Sequence, residues 1–444
     1  MSLAADLLNK ATEFLDPHLS LVILEDLEEK KTIPENVVAQ EKIKVLSRTK
    51  IYDYFLEDVR KLQGKVSAEE IESLSQSTDK QKIEAATNLA VYKKYSENFI
   101  KNVVDDAEKY AELEKDKFSK NTYNKLFKSL DIFTKEDIDF SIKYARAQFD
   151  IGQYAESNKI LNCLLPLLED DEQIINVLWG KLVSNILIEN INEALDDLKL
   201  LKERLDKDRE RASHMHILAN RVSLLHTAVY LLLKVKYGED SLEAFIDLYT
   251  KENYLSAIQD GAPHLIRYLL SAFFLMKNFP KFDLNKLMNL LPNFKPDICN
   301  YSDSLNKFVL ALLQDFDFKK AQALIKDFRK DLQGDYFLDS HIDEIINNAQ
   351  KIFFEVYCKI HRKIEIKTVA EYLGVNNEKA EIWIVNLIRG IGAEAKVDLE
   401  QQIINLTSTR QSVYEKVFNK TKDLVPRTNI LINNITRILK TEEK

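Results

Sequence analysis

The chain has 444 residues, 45% of them hydrophobic, but only 9 Gly and 8 Pro. So few turn-forming residues argue against a turn-rich β protein or a doubly wound enzyme with glycine loops, and they favour helices. The formal net charge of -8 disfavours general affinity for nucleic acid or anionic membranes.

Targeting signals and membrane spans are not expected from the sequence. The N-terminus has no basic region followed by an apolar core, so we predict no secretory signal. Apolar runs such as residues 269–276 are much shorter than the roughly 20 residues that cross a bilayer. We therefore expect a cytoplasmic protein that does not span a membrane.

The N-terminal region, residues 1–125, is predicted to be helical. Leu7, Ala11, Phe14 and Leu15 begin an amphipathic pattern that continues to Ile23. Between residues 64 and 102 the sequence becomes polar, so we expect either a mobile loop or a weakly packed helix there.

Residues 126–352 are predicted to form helix pairs. The segment Gly152-Gln-Tyr154 resembles a tetratricopeptide turn. The segments beginning at Asn190 and Asp315 have the same pattern, in which a large aromatic or aliphatic residue is followed, after two other residues, by a small residue. Ser157 and Ala194 are 37 positions apart, near the ~34-residue tetratricopeptide period. The pattern indicates a degenerate α-solenoid, with an irregular helical bundle as the alternative and a break at residues 291–296.

Residues 353–410 carry the pattern of a winged helix. A short strand over residues 363–367 precedes a helix with a capping box at Thr368 and Glu371. A second helix follows, and alternation from Ala393 onward predicts a hairpin. The apolar core of the second helix is formed by Trp383, Ile384, Leu387 and Ile388.

The usual function of a winged helix is DNA binding, but the charge of this domain argues against that function. Between Glu355 and Thr407 there are seven Lys or Arg against eight Asp or Glu, whereas phosphate neutralisation needs a basic excess. We therefore predict a protein-binding module. A winged-helix nucleic-acid binder remains the disfavoured alternative.

The last segment, residues 411–444, is predicted to be an amphipathic helix. Apolar side chains recur every seven residues, and Pro426 is expected to kink or restart the helix. The stripe folds back on its own winged domain or joins helices of other chains, and a stripe this wide could serve both roles. Its candidate assembly residues are Tyr414, Val417, Leu424, Leu431, Ile435 and Ile438.

The sequence contains no recognisable catalytic or metal-binding pattern. His214 and His216 point about 200° apart on a helix and cannot chelate one ion together. Cys358 and His361 are better explained as a core thiol and a helix-capping side chain than as a reactive pair. The three cysteines have neither disulfide nor zinc spacing. We predict no cofactor, no metal and no enzymatic activity.

Several segments carry a family resemblance that extends over nearly the whole chain. The chain resembles the PCI family of scaffold subunits in the proteasome lid, the signalosome and eukaryotic translation initiation factor three, and within it the e subunits of that factor. The segments are Phe14-Leu-Asp-Pro-His-Leu19, Leu178-Trp-Gly-Lys-Leu182, Tyr254-Leu-Ser-Ala-Ile-Gln259, Pro263-His-Leu-Ile-Arg-Tyr-Leu269, Phe316-Asp-Phe318 and Trp383-Ile-Val-Asn-Leu-Ile-Arg389.

This resemblance implies a helical-repeat solenoid, a winged-helix PCI domain with a small antiparallel sheet, and a long C-terminal helix. It implies a non-catalytic scaffold that supports preinitiation complex formation and mRNA recruitment. The implied partners are other PCI and MPN subunits, among them the d subunit, and the small ribosomal subunit. A scaffold of the proteasome lid or the signalosome is the close alternative.

In the family, winged-helix sheets pair edge to edge, because an edge strand offers free backbone amides. The candidate edge here is the hairpin strand at residues 402–407, with Ile403, Ile404 and Leu406, or else the short strand at residues 363–367.

Overall fold

The computed structural model describes residues 3–30, 35–51, 68–104, 135–207, 214–235, 237–279, 282–294, 301–361, 363–365, 394–398, 403–407, 414, 417–418, 421–422 and 424–432. Its longer helices are α1 (Leu3–Phe14), α2 (Pro17–Lys30), α3 (Glu35–Leu46), α4 (Ala68–Tyr95), α5 (Lys135–Asp150), α6 (Tyr154–Leu164), α7 (Asp171–Leu187), α8 (Ile191–Lys207), α9 (His214–Ala228), α10 (Glu239–Tyr249), α11 (Glu252–Gly261), α12 (Leu265–Met276), α13 (Leu284–Leu290), α14 (Ser304–Leu313), α15 (Phe318–Leu332) and α16 (Ile342–Ile360).

Short helical turns and strands complete these elements. Tight 3₁₀ turns cover Leu165–Leu167, Leu291–Phe294 and Asp339–His341, and wider π turns cover Ile100–Val104 and Val229–Val235. The strands are β1 (Lys363–Glu365), β2 (Glu394–Asp398) and β3 (Ile403–Thr407). The predicted fold class, a helical-repeat solenoid followed by a small antiparallel sheet, is confirmed.

The chain divides into two compact units, Met1–Ala349 and Gln350–Lys444. This division lies close to the predicted boundary between residues 352 and 353. The predicted N-terminal region and the helical repeats belong to the same unit, because α1 packs against α9 and α15.

Three predicted turns between paired helices each contain one residue in the left-handed backbone region. Gly152 ends α5 with a φ of 95°, Glu189 follows α7 with a φ of 67°, and Phe316 follows α14 with a φ of 54°. At the first turn the Gln153 amide donates to the Gln148 carbonyl at 2.9 Å, and at the second the Asn190 amide donates to the Asn185 carbonyl at 2.9 Å. These bonds satisfy carbonyls at the helix ends and reverse the chain, as the tetratricopeptide-like pattern predicts.

The N-terminal helices lie across the repeats and contact distant parts of them. The Phe14 ring stacks on His226 with centroids 5.0 Å apart, and His18 packs on Phe149 at 4.5 Å. The Nδ1 atom of His18 is also hydrogen-bonded to the Tyr154 hydroxyl at 2.9 Å. The helix pair α1–α2 therefore joins α5 and α6 to α9, contacts that connect residues more than 100 positions apart.

The polar segment at residues 64–102 contains the 28-residue helix α4. Its described side chains are mostly exposed, with Ile83 at 69% and Tyr95 at 55%. Tyr95 nevertheless stacks on Phe140 of α5, with ring centroids 4.8 Å apart. Of the two predicted alternatives, the weakly packed helix is the correct one.

The centre of the first unit is formed by α12, all of whose side chains are buried. Phe274 of this helix packs against Phe308 of α14 and Phe328 of α15, at centroid distances of 6.0 and 6.4 Å. The break predicted at residues 291–296 coincides with the end of α13 and the 3₁₀ turn Leu291–Phe294.

One helical segment in the described ranges, His214–Val235, is long and apolar enough to cross a membrane by length and composition alone. In this fold 61% of its apolar window is buried, which is also expected of a core helix.

The second unit contains an antiparallel three-stranded sheet in the order β1-β3-β2. The predicted hairpin is confirmed, with Val397 opposite Ile404 and Glu394 opposite Thr407. On the other side of β3, Ile364 pairs with Ile404, and both side chains are fully buried. The two helices predicted between β1 and β2, with the core residues Trp383, Ile384, Leu387 and Ile388, lie outside the described residues.

Candidate assembly surfaces

The C-terminal segment presents its apolar side chains to solvent. Residues 424–432 form a helical run. Leu424 is 56% exposed and Leu431 is 61% exposed, and farther toward the N-terminus Tyr414 and Val417 are exposed as well. These four side chains are exposed in the described part of the chain, and the role of the stripe in assembly stays a prediction. Ile435 and Ile438 lie outside the described residues, so their roles stay predictions.

Helical geometry places these side chains in one stripe. At 100° per residue, Val417, Leu424 and Leu431 fall within about 40° of one another. Phe418 and Val425, 67% and 53% exposed, widen the stripe on one side. The opposite face contains Ile430, which lies about 140° from Val417 and from Val425. We call the set Val417, Phe418, Leu424, Val425 and Leu431 the C-terminal stripe.

Two threonines and a proline shape the same helix. The Thr421 hydroxyl donates to the Val417 carbonyl at 2.7 Å, and the Thr428 hydroxyl donates to the Leu424 carbonyl at 3.0 Å. Both hydroxyls thereby satisfy their hydrogen bonds within the helix, which reduces the polarity of this side of it. Pro426 lies inside the helical run 424–432, so the helix does not end at this proline.

The predicted edge strand is wrong. β3, which contains Ile403, Ile404 and Leu406, is the central strand, because it pairs with β1 on one side and with β2 on the other. A hairpin pattern specifies only that β2 and β3 pair, and it cannot show which of them also accepts β1. The edges are β1, which was the other predicted candidate, and β2.

The two edge strands carry charged residues. β1 places the exposed Lys363 and Glu365 on either side of the buried Ile364. The sequence of β2 alternates Glu394, Lys396 and Asp398 with small or apolar residues. Charges on an edge strand discourage indiscriminate pairing and select a partner strand of complementary charge.

A buried ion cluster that the sequence did not reveal joins three parts of the first unit. The Nε–H of Arg267 on α12 donates to Asp335 Oδ2 at 3.0 Å, and its other nitrogens donate to Asp303 and to the Asp331 carbonyl. Arg267 is 1% exposed, and Asp303 and Asp335 are 3% and 4% exposed. Burial by itself lowers the pKa of Arg267, but the carboxylates of Asp335 and Asp303 raise that pKa above its ordinary value. The cation is therefore permanently charged.

The carboxylates of this cluster are also held by backbone amides. Asp303 Oδ1 accepts from the Ser304 amide at 2.7 Å, and Asp335 Oδ1 accepts from the Phe337 amide at 3.1 Å. Every strong charge in the cluster thus has both an ionic and a hydrogen-bond partner, as buried charges require. The cluster ties α12 to the segments that contain Asp303, Asp331 and Asp335.

A second buried polar group is a pair of imidazoles. The Nδ1–H of His226 donates to the Val222 carbonyl at 2.8 Å, so His226 Nε2 accepts from the Nε2–H of His264 at 2.9 Å. Burial lowers the pKa of His226 to about 4 and that of His264 to about 3. Both rings are neutral at physiological pH and contribute to the core beneath Phe14.

The histidines and the cysteine that were rejected as metal-binding or reactive pairs have ordinary surroundings in the structure. No group of three His, Cys, Asp or Glu among the described residues could hold a metal ion. His216 Nδ1 lies 3.3 Å from the side-chain Nδ2 atom of Asn220, on the exposed side of α9. Burial raises the pKa of the Cys358 thiol to about 12, so the thiol is unreactive. His361 packs on Tyr357, with ring centroids 4.2 Å apart, at the end of α16.

Comparison with known proteins agrees with this architecture. Residues 6–149 match the family described as "eIF3 subunit 6 N terminal domain", and residues 325–408 match the family described as "PCI domain". The second match spans the sheet in the second unit and the end of the helical repeats.

Similarity to individual proteins covers nearly the whole length of both chains. A protein of Arabidopsis thaliana, named as the E subunit of eukaryotic translation initiation factor 3, is 31% identical over 433 residues, covering 95% of this chain and 94% of its own. Proteins of the same name from Bombyx mori and Neurospora crassa are 31% and 28% identical, and each covers 97% of this chain. The chain therefore belongs to the family of E subunits of eukaryotic translation initiation factor 3.

Proposed function

We propose that this chain is a non-catalytic scaffold subunit of the translation initiation factor three complex and acts in the cytoplasm. Full-length similarity to proteins named as the E subunit of that factor supports membership in the complex. The observation that carries the scaffold role is the C-terminal stripe, whose apolar side chains are more than half exposed. Exposed apolar surface of this kind is typical of a subunit whose interface is formed only in an assembly.

The partners of the scaffold follow from the family resemblance. The C-terminal helix joins a helical bundle with other PCI and MPN subunits, and the chain takes part in docking the d subunit. The assembled particle supports preinitiation complex formation and mRNA recruitment on the small ribosomal subunit. This chain contributes no sequence-specific nucleic-acid contact, because its winged domain has no basic excess.

Replacing Leu424 and Leu431 by Asp tests the stripe. Burying two unpartnered carboxylates in a helix interface is strongly disfavoured, so incorporation into the particle should fall at least about tenfold. The measurement is co-sedimentation of the chain with other factor subunits on a gradient. Ile430→Asp, compared with Leu431→Asp alone, is the matched control, since it adds one charge to the opposite face at an equally exposed aliphatic residue and should sediment like the natural chain.

Deletion of residues 414–444 provides a second arm of this test. Circular dichroism of both variants should retain the helical signal of the first unit, because the stripe belongs to a separate unit. Normal co-sedimentation of the Asp variant and of the deletion would contradict a role of this helix in assembly. The edges of the sheet would then be the remaining assembly surface.

We further propose that β1 and β2 pair with strands of neighbouring subunits. Each is an edge of the sheet, and two free edges allow a neighbour on either side. Hydrogen exchange of the outward-facing amides in residues 363–365 and 394–398 should be slowed in the particle relative to the free chain. Amides of residues 403–407 are already paired within the sheet and should serve as the internal control. Equal exchange of both edges in the two states would contradict this pairing.

A further inference from the structure

The helix α4 is packed on one side and open on the other. It contacts α5, and its half-buried side chains, Ala85, Leu89 and Tyr92, lie within about 60° of one another on the helix. Away from this side, Ile83 is 69% exposed and Val91 is 43% exposed. The exposed apolar set spans an arc of about 140° and is called the α4 face. It consists of Ile83, Ala86, Thr87, Ala90 and Val91.

The α4 face has the shape and polarity of a helix-packing surface. The Thr87 hydroxyl donates to the Ile83 carbonyl at 2.6 Å, so it can be covered by an apolar partner without losing a hydrogen bond. Ala86 and Ala90 lie on successive turns, and their small side chains allow the backbone of a second helix to approach closely. The intervals of three and four residues between these positions are those of a helix that packs along another helix.

Lysines dominate the charge of this part of the chain. Residues 82–101 contain four Lys and two Glu, a net charge of +2 in a chain whose net charge is -8. Lys93 and Lys94 are exposed at the C-terminal end of α4, and no described carboxylate forms an ion pair with either of them. The nearby Glu97 pairs with Lys101. The positive charge beside the α4 face therefore favours a partner with acidic side chains.

The neighbouring helix does not cancel this positive charge. In α5 three basic side chains stand against four acidic ones, and one of the acidic residues, Asp150, pairs with Lys50 at 2.7 Å. The exposed charges of α5 therefore sum to about zero, and the excess of lysine on α4 remains.

Two possible occupants within this protein are disfavoured by charge. In a parallel pair of α4 helices Lys93 and Lys94 would face their own copies, and in an antiparallel pair they would face Lys82. The C-terminal stripe is no better, because residues 414–432 contain four basic and two acidic side chains. Like charges that face each other across a helix pair are destabilising, so the occupant is a different polypeptide.

We propose that the α4 face docks an amphipathic helix of a partner protein, and that acidic residues border the apolar stripe of that helix. Its aliphatic side chains cover Ile83 and Val91, and its backbone passes over Ala86 and Ala90. Its carboxylates lie near Lys93 and Lys94. This mode combines apolar anchors at helical spacing with complementary charge. The site lies in the first unit and does not depend on the proposed role of the C-terminal stripe.

The test measures binding of a labelled peptide to the full chain by fluorescence anisotropy. The probe is an amphipathic peptide made of three repeats of Glu-Ile-Ala-Ala-Leu-Glu-Gln. It is compared with the same peptide in which Lys replaces every Glu. The acidic peptide should bind at least roughly fivefold more tightly than the basic one at low salt, and this preference should shrink as salt is added.

A single added carboxylate locates the binding surface. Ala90→Asp places a charge in the middle of the α4 face and should weaken binding of the acidic peptide at least about tenfold. Asn88→Asp is the matched control. It adds the same group at an exposed position of the same helix, about 160° from Ala90, and should leave binding unchanged.

Charge reversal tests the specificity for an acidic partner. Lys93→Glu combined with Lys94→Glu should reverse the preference, so that the basic peptide binds more tightly. Lys319→Glu combined with Lys320→Glu makes the same change of net charge at exposed positions of α15 and should keep the acidic preference.

Four outcomes would each overturn this proposal. They are absence of binding of the acidic peptide, equal binding of the basic peptide, unchanged binding by Ala90→Asp, and an acidic preference that survives the reversal at Lys93 and Lys94. A dimer of the natural chain in analytical ultracentrifugation that Ala90→Asp dissociates would instead assign the α4 face to a second copy.

Discussion

Arg267→Met should destabilise the first unit by about 3 to 5 kcal/mol. Methionine fills much of the same volume, so the loss comes mainly from the uncompensated carboxylates of Asp303 and Asp335. These are 3% and 4% exposed and cannot be solvated without opening the fold. The measurement is denaturant unfolding of the full chain followed by circular dichroism.

An exposed arginine offers a matched control for this experiment. Arg329 pairs with Asp343, and their side chains are 65% and 78% exposed. Arg329→Met should change the free energy of unfolding by no more than about 0.5 kcal/mol, because exposed ion pairs contribute little. Combining Arg267→Met with Asp303→Asn and Asp335→Asn should recover part of the loss. Equal stability of Arg267→Met and Arg329→Met would contradict the role assigned to the cluster.

Acidification from pH 7 to pH 5 should destabilise the chain through the His226–His264 pair. Folding lowers the pKa of these imidazoles from 6.5 to about 4 and about 3. The unfolded chain therefore binds more protons below pH 6.5, and stability that is complete above that pH is lost as the pH falls toward the folded values. At pH 5, 1.5 units below the ordinary pKa, each imidazole accounts for a loss of roughly 2 kcal/mol.

Other titratable groups also change how the free energy of unfolding depends on pH. His18 acts in the same direction, because burial lowers its pKa to about 4. Asp16 acts oppositely, since burial raises its pKa to about 6, and it therefore contributes stability as the pH falls through that value. Lys10, near His264, further disfavours the protonated ring. Burial also raises the pKa of Asp197 and of Asp335, and these carboxyls oppose the loss as well, so the contribution of the imidazole pair is isolated by substitution.

Glutamine substitutions separate the contribution of the pair from the rest. The difference in the free energy of unfolding between pH 7 and pH 5 should shrink by roughly 2 kcal/mol in His264→Gln, whatever its stability at pH 7. His214→Gln removes an exposed histidine at the start of α9 and should leave that difference unchanged. If this difference in His264→Gln equals that of the natural chain, the buried histidine pair does not control stability in acid.

The helical repeats and the hairpin could be predicted from the sequence, because the residue patterns that specify them span only a few neighbouring positions. The turn residues Gly152 and Phe316 lie at reversals that the sequence pattern predicts, and both have left-handed backbone conformations. The apolar spacing of the C-terminal stripe likewise depends only on the helical period. The resemblance added the family, which local patterns alone do not specify.

Strand order and buried polar partners could not be read in this way, because they join residues that are distant in sequence. β1 lies beside β3 rather than β2, although about 40 residues separate Ile364 from Ile404. Arg267, Asp303 and Asp335 look like unrelated charges in the sequence, and the fold brings them together over separations of 36 and 68 residues. Their pairing follows from the packing of α12 against the ends of neighbouring helices.

The sequence by itself determined the helical class, the turns between repeats, the hairpin and the apolar stripe, because each depends on neighbours within a few turns of chain. Only the tertiary structure decided that β3 is the central strand and that Arg267 is enclosed by two carboxylates. Those features depend on desolvation and on contacts between distant segments, and neither is encoded in a local period.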